Sequence, residues 1–404
     1  MSRSFTVEES IAMTQGDWSD RQLQAQLADL RARNLYRQRE IVDGAQGTRV
    51  VIGGRACLSF CSNDYLGLAN HPQVVRAFQM GAEHYGVGAG ASHLISGHSR
   101  AHHALEEELA EFVGAPRAVL FSTGYMANLG VVQALMGRHG TIFEDRLNHA
   151  SLIDAARLCQ AKVRRYAHVD LVRLQSLMAM VDGQKLVLTD GVFSMDGDVV
   201  PLRPLIDVAR TANARVLVDD AHGLGVLGAR GGGSFELSGQ RVAAPAVLMG
   251  TLGKAFGTFG AFVAAEEEIV ETLIQRARSY IYTTALPAAV AEATRASLRL
   301  ARNETWRREQ LRERIRQFRH GAAEIGLPLM QSETPIQPVV LGSSNAALAA
   351  AANLRRRDIL VPAIRPPTVP QGSARLRITL SAAHSAAEVD RLLDVLAAYA
   401  APPP

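Results

Sequence analysis

The sequence predicts an α/β protein, with a large domain on a mostly parallel central sheet and a smaller α+β domain assembled from the chain ends. Three observations predict it. The middle of the chain alternates short β-branched apolar runs with longer segments of helical period, the signature of strand–helix–strand units. Several of those runs are apolar throughout, as strands buried in a sheet interior are. With 404 residues the chain exceeds one minimal core, and its ends have a different pattern from its middle. The expected division is an N-terminal segment 1–60 packed with the small domain, a large domain 61–290, and a small domain 291–404.

In chain order, Asp20 to Glu40 reads as helical and Arg49 to Phe60 as short strands around Gly53-Gly54. Ala118-Val-Leu-Phe121 reads as a strand leading into a helix near Met126 to Met136, and Thr141 to Phe143 as another strand. Leu186-Val-Leu-Thr189 precedes a helix near Leu202 to Asn213. Arg215-Val-Leu-Val218, Ala246-Val-Leu-Met249 and Gly260-Ala-Phe-Val-Ala264 read as further buried strands. After about Ala291 come a long charged helix, two or three strands and a final helix near Ala387 to Tyr399, then a loose tail from Ala400 to Pro404.

Composition narrows the function. No run of about 18 uncharged apolar residues occurs, and Met1 to Asp20 carries acids and polar groups where a signal peptide needs an apolar stretch, so a cytoplasmic protein without a membrane span is expected. Cys57, Cys61 and Cys159 form no Cys-x-x-Cys pair, which argues against a disulfide framework or a structural zinc site. The net charge of +4 comes from scattered arginines rather than a basic block, so no nucleic-acid partner is expected. Lysine occurs only at Lys162, Lys185 and Lys254. An amine that loses its proton on burial and forms imines is chemistry that arginine cannot supply.

Lys254 directly follows a predicted strand in Met249-Gly-Thr-Leu-Gly-Lys-Ala-Phe-Gly257. The surrounding glycines let a planar ring approach the backbone; the plainer alternative is a lysine in a solvated turn. Asp219 ends the apolar run of Val216-Leu-Val-Asp-Asp-Ala-His-Gly223, at the carboxyl edge of the sheet where α/β proteins bind ligands. There it suits pairing with a protonated ring nitrogen, with His222 near a ring hydroxyl, or else a helix N-cap. Ser122-Thr-Gly-Tyr-Met126 offers backbone N–H groups for a phosphate, chiefly at Gly124 and Tyr125. His149, after Thr141 to Phe143, either stacks on an aromatic ligand or plays a structural part. Gly86-Val-Gly-Ala-Gly90 lacks a leading strand, which discounts a dinucleotide loop. His98, His102 and His103 with Glu106 and Glu107 have a metal-like spacing. An acidic helix start explains them as well, and no metal site is expected.

Five segments in order resemble the α-oxoamine synthase family of fold-type I pyridoxal-phosphate enzymes: Ser62-Asn-Asp-Tyr-Leu-Gly67, Leu147-Asn-His-Ala-Ser151, Gly191-Val-Phe-Ser-Met-Asp-Gly197, Val218-Asp-Asp-Ala-His-Gly223 and Thr251-Leu-Gly-Lys-Ala-Phe-Gly257. The likeness covers most of the chain. It implies the cofactor pyridoxal 5′-phosphate, with Lys254 as Schiff-base lysine and catalytic base, and Asp219 as partner of the pyridine nitrogen. It also implies His222 and Ser194 near the ring oxygen, His149 stacking on the ring, and Thr251 on the phosphate. Arg377 would hold the amino-acid carboxylate, with Arg375 as fallback, and Asn63 would line the substrate pocket. Thr283 and Thr284 would reach the phosphate of the neighbouring subunit in a homodimer with shared sites. Gly88-Ala-Gly-Ala-Ser-His-Leu-Ile-Ser-Gly97 is similar to members that join L-alanine to a pimeloyl thioester, carried by coenzyme A or an acyl-carrier protein, in biotin biosynthesis. Glycine-using members, the competing reading, typically have arginine at the position of His93. Arg33, Arg37 and Arg39 are candidates for the acyl chain's distal carboxylate, Arg37 foremost; Tyr36 departs from the family pattern there.

Overall fold

The computed structural model describes residues 20–399. Expectations for the first nineteen residues and for the tail 400–404 lie outside the described residues. Helix α1 (Asp20–Ala32) is followed by β1 (Val42–Asp43), β2 (Arg49–Ile52) and β3 (Arg55–Ser59), then by α2 (Pro72–Tyr85), a π-helical turn (His93–Gly97) and α3 (Arg100–Val113). The central sheet is built from β4 (Arg117–Phe121), β5 (Thr141–Asp145), β6 (Lys162–Tyr166), β7 (Lys185–Asp190), β8 (Arg215–Asp219), β9 (Ala246–Thr251) and β10 (Ala261–Ala265). Helices α4 (Gly124–Leu135) and α5 (Ala150–Leu158) open directly after β4 and shortly after β5. The C-terminal part carries β11 (Ile336–Gly342), β12 (Ile359–Leu360), β13 (Ala363–Ile364) and β14 (Ala374–Thr379).

The seven central strands run in the order β4-β10-β9-β8-β7-β5-β6. β5, β6, β7, β8 and β9 are parallel, and β10 is antiparallel to both of its neighbours, β9 and β4. Side chains alternate between two cores. Val216, Val218, Leu248 and Phe262 face one, and Leu217, Val247, Met249 and Val263 the other. Both faces are covered, which is why these strands read as unbroken apolar runs in the sequence. β6, Lys-Val-Arg-Arg-Tyr at the sheet edge, has no such run and escaped the sequence pattern.

The two chain ends meet. β3 pairs in parallel with β12, Phe60 stacks on His384 with ring centroids 4.3 Å apart, and Thr379 N donates to Phe60 O. Thr379 Oγ1 donates to Ser62 O and Ser381 Oγ to Asp64 O, so the Ser62–Gly67 segment is laid beside β14. Two helical expectations need correction. The first helix stops at Ala32 because Asn34 takes a left-handed conformation (φ 56°) that no α-helix continues. The long charged helix is two, Ala288–Asn303 and Trp306–Glu324, separated where Glu304 leaves helical geometry.

Candidate active site

Four parallel strands end at one edge of the sheet, and each delivers a polar group there. β8 ends in Asp219, β7 in Asp190 in register with it, β9 in Thr251, and β5 leads to Asn148 and His149. Asp219 is buried. Its Oδ2 accepts a hydrogen bond from Asn128 Nδ2 at 2.8 Å and its Oδ1 one from Ala221 N at 3.1 Å. No cationic side chain forms an ion pair with it among the described residues. A buried carboxylate held in place and left without a counter-ion is a receptor for a cation, such as a protonated ring nitrogen.

Lys254 lies in the turn after β9. Gly257, at φ +64°, closes that turn by donating its N–H to Lys254 O; an added Cβ there would meet Ala69 N at 2.3 Å, so the turn is seated against the Ser62–Gly67 segment and its sequel. Lys254 Nζ is 2.9 Å from His222 Nε2, and His222 Nδ1 is 2.7 Å from the Tyr65 hydroxyl. The hydroxyl donates to Asn63 Oδ1 at 3.1 Å. His222 therefore donates from Nδ1 to the Tyr65 oxygen, and its Nε2 lone pair accepts from the ammonium. Burial, reinforced by Lys254 and Arg377, pushes His222 well below the ordinary histidine range, so it stays neutral in this chain. Burial also lowers the Lys254 ammonium to about 8, against the opposing pull of Asp219.

Arg377, buried on β14, donates from Nε to Ser194 O at 2.6 Å and from both terminal nitrogens to Asn63 Oδ1 at 3.4 Å. It has no carboxylate partner among the described residues. Arg375 does: it pairs with Asp196 and donates to Met195 O, so the fallback arginine is already spent on the fold. The guanidinium left over is the one able to take a substrate carboxylate in a two-pronged bond.

His149 caps α5 by accepting from Ser151 N, its Nδ1 2.7 Å from the Ser151 hydroxyl. Its backbone N–H donates to Asp190 Oδ2 at 2.7 Å. Burial, with Asp219 beside it, pushes the Asp190 carboxyl well above the usual range. At the start of α4 the Thr123 side chain caps Met126 N, while the N–H groups of Gly124 and Tyr125 have no partner among the described residues. They face outward from a helix N-terminus, which suits a phosphate. The Tyr125 hydroxyl itself turns away to Asp154. Thr251 Oγ1 donates to Gly260 O, and the Ser194 hydroxyl has no partner among the described residues.

Not every expected residue joins this cluster. Thr283 and Thr284 sit on the surface, where Thr284 bridges to Ser92 and its carbonyl accepts from Ser122 Oγ. Arg37 lines a separate cleft of about 260 Å³ with Leu35, Gln38, Arg365, Pro366 and Thr368. That cleft borders β13, which pairs with β14 and so adjoins the strand of Arg377. Arg33, just past the end of α1, is paired with Asp29 on that helix. A larger cleft of about 610 Å³ opens at the opposite sheet edge beside Lys185 and Arg215, far along the strands from this chemistry. The pattern reading missed Asn128, which steers Asp219, and Asp190, which holds His149. The one signal for Asn128 is a lone amide in an otherwise apolar stretch of α4.

This geometry agrees with the company the chain keeps. Residues 55–396 match the model of the aminotransferase class I and II family. An 8-amino-7-oxononanoate synthase of Pseudomonas putida is 60% identical over 93% of this chain and 96% of its own length, and one of Methylococcus capsulatus is 61% identical over 92% and 96%. The chain belongs to the aminotransferase class I and II family, and within it to the α-oxoamine synthases. Among solved structures, a serine palmitoyltransferase of Sphingomonas wittichii superposes with a TM-score of 0.88 at 31% identity over 94% of this chain and 96% of that one. An 8-amino-7-oxononanoate synthase of Francisella tularensis superposes at 0.75 with 33% identity over 85% and 97%. A serine palmitoyltransferase from S. paucimobilis, similar at 0.88 and 29% over 93% and 96%, was solved with pyridoxal phosphate and myriocin bound. The residues present here fit that cofactor: an amine of lowered pKa just past the end of β9, a buried carboxylate with no ion-pair partner among the described residues at the end of neighbouring β8, and a helix N-terminus with free N–H groups.

Proposed function

We propose that this protein condenses L-alanine with a pimeloyl thioester, releasing carbon dioxide and the free thiol and forming 8-amino-7-oxononanoate, a step of biotin biosynthesis. The observation that carries the reading is the convergence of Lys254, Asp219 and an unpaired Arg377 on one sheet edge in a chain about 60% identical to synthases of that name. Pyridoxal 5′-phosphate, when bound, supplies an electron sink that stabilises negative charge at Cα of the amino acid. Lys254 would hold it covalently, the Gly124 and Tyr125 N–H groups and the Thr251 hydroxyl would hold its phosphate, and Ser194 and His222 would flank the ring oxygen. Asp219, steered by Asn128, would keep a proton on the ring nitrogen. His149 would cover the ring's open face.

Arg377 would bind the carboxylate of L-alanine and so orient its Cα toward Lys254, while Asn63 lines the pocket beside it. With Nζ free, Lys254 takes the Cα proton; its lowered pKa puts it near the working pH, where a base is most effective. The new bond joins Cα to the acyl carbon and expels the thiol. The carboxylate then leaves as carbon dioxide, and a proton returns to Cα. Arg37, in its cleft one strand beyond Arg377, meets the distal carboxylate of the acyl chain.

Thr283 and Thr284 serve the phosphate of a second copy of the chain. Tyr282 beside them is 71% exposed, and Ile95, in the turn that follows the Ser92 bridge to Thr284, is 79% exposed, apolar side chains suited to burial in a homodimer. The chain is divided into a large domain, 61–290, and a small one built from 291–404 with the N-terminal segment. Incubating the purified protein with L-alanine and pimeloyl-coenzyme A, and in parallel with the carrier-protein thioester, tests the reading by mass-spectrometric detection of the amino ketone. Turnover of glycine in preference to L-alanine would replace the substrate assigned here.

A further inference from the structure

We propose that His98, His103 and Glu106 form a binding site for one divalent transition-metal ion of the zinc class, separate from the active site. One donor atom from each lies within 4.8 Å of the others, and His98 Nε2 stands 3.9 Å from Glu106 Oε2. His103 and Glu106 are three residues apart on α3 and therefore share a face; His98 precedes the Ser99 cap of the same helix and is carried back toward it.

The ligands are oriented before any ion arrives. His98 Nδ1 lies 3.0 Å from His93 Nδ1, so a proton donated from His98 to His93 leaves the Nε2 lone pair aimed at Glu106. Metal-binding imidazoles are held in this way by a bond through their second nitrogen. His93 is fixed in turn by stacking on Tyr280, ring centroids 5.0 Å apart and planes within 6°. Glu106 Oε1 accepts from Leu120 N at 2.9 Å, and its Oε2 accepts no hydrogen bond among the described residues, although the side chain is only 15% exposed. A cation answers that unmet oxygen. His103 is half exposed and free to swing, and Glu107 Oε1, 3.5 Å from its Nε2, supplies a further oxygen.

His102 is not a ligand: its Nδ1 accepts from Ser99 N and its Nε2 donates to Leu286 O at 2.6 Å. Two imidazoles with carboxylate oxygens favour zinc, cobalt or nickel over magnesium or calcium. The His93–Gly97 turn follows Ser92, which bridges to Thr284, so an ion here would tie that surface to α3.

The test is a titration of chelator-treated, tag-free holoenzyme with Zn²⁺ by calorimetry, and with Co²⁺ by its visible absorption to the red of the cofactor band. One ion per chain is expected, bound at least about tenfold more weakly by His98→Gln and by His103→Ala. His103 takes no part in the active site, so His103→Ala keeps its turnover and its cofactor absorption, which separates loss of the metal from loss of the fold. No saturable uptake by the wild type, or equal Zn²⁺ affinity in wild type and both variants, would overturn the proposal.

Discussion

Replacing Lys254 by methionine in the cofactor-free protein should stabilise it at neutral pH, an unusual direction for a change at the centre of an enzyme. Burial brings the ammonium down from 10.5 to about 8. At 1.36 kcal/mol for each pH unit, folding with this amine charged is disfavoured by about 3 kcal/mol. Methionine has a similar length and no charge to desolvate, and what it forfeits is the bond to His222 Nε2, worth about 1 kcal/mol. A net gain of about 2 kcal/mol corresponds to roughly 2 °C in melting temperature for a chain of this length.

The pH dependence carries the sign. A lysine with a depressed folded-state pKa penalises the wild type fully below about pH 8. The penalty fades between about 8 and 10.5, where the folded amine has lost its proton and the unfolded one has not. Differential scanning calorimetry of both cofactor-free proteins from neutral pH upward should show the variant melting higher near pH 7 and the gap closing as pH approaches 10.5. A variant less stable than wild type at pH 7, or a gap that does not change with pH, would mean that the amine is hydrated and not poised as a base.

Other substitutions separate positioning from chemistry. Asp219→Asn removes the charge facing the ring nitrogen and should lower turnover at least about a hundredfold, with the cofactor still bound by absorbance. Arg377→Ala should raise KM for L-alanine by about two orders of magnitude, the worth of a lost charged two-pronged bond, in steady-state assays. Arg375→Ala leaves the half-buried Asp196 without its partner and should instead lower the melting temperature, through a loss of about 3 kcal/mol of stability, with KM for L-alanine little changed. Burial depresses His168, yet hydrogen bonds to Asp145 and Asp198 outweigh it and raise its pKa to about 10. The stabilisation from that raised pKa is complete below pH 6.5 and is lost as pH rises toward 10, so His168→Gln should flatten the melting temperature across that window.

Much of the fold was legible because the physics that shapes it is local. Strands buried on both faces must be apolar at every position, so β4, β7, β8, β9 and β10 announced themselves, while edge strand β6, with charges facing solvent, did not. The helix from Asp20 ran too far on periodicity because one left-handed residue, Asn34, outweighs the pattern around it. Lys254 and Asp219 stood out for a comparable reason. Each is a polar residue placed where an apolar run ends, at the sheet edge that binds ligands.

What the sequence determined, then, was the inventory: the α/β layering, the strand-end lysine and carboxylate, and the motif order that marks the family. Only the tertiary structure decided between the two arginines of β14, because Asp196 claims Arg375 through space and no carboxylate among the described residues claims Arg377. Only it could reveal that Asn128, 91 residues from Asp219, turns that carboxylate toward the ring site. Only it could bring the imidazole of His222 to Lys254 and the hydroxyl of Tyr65 to His222. The physical reason is range. Periodicity and capping act within a few residues, whereas a hydrogen bond or an ion pair is selected by distance in space, and chain closure sets that distance.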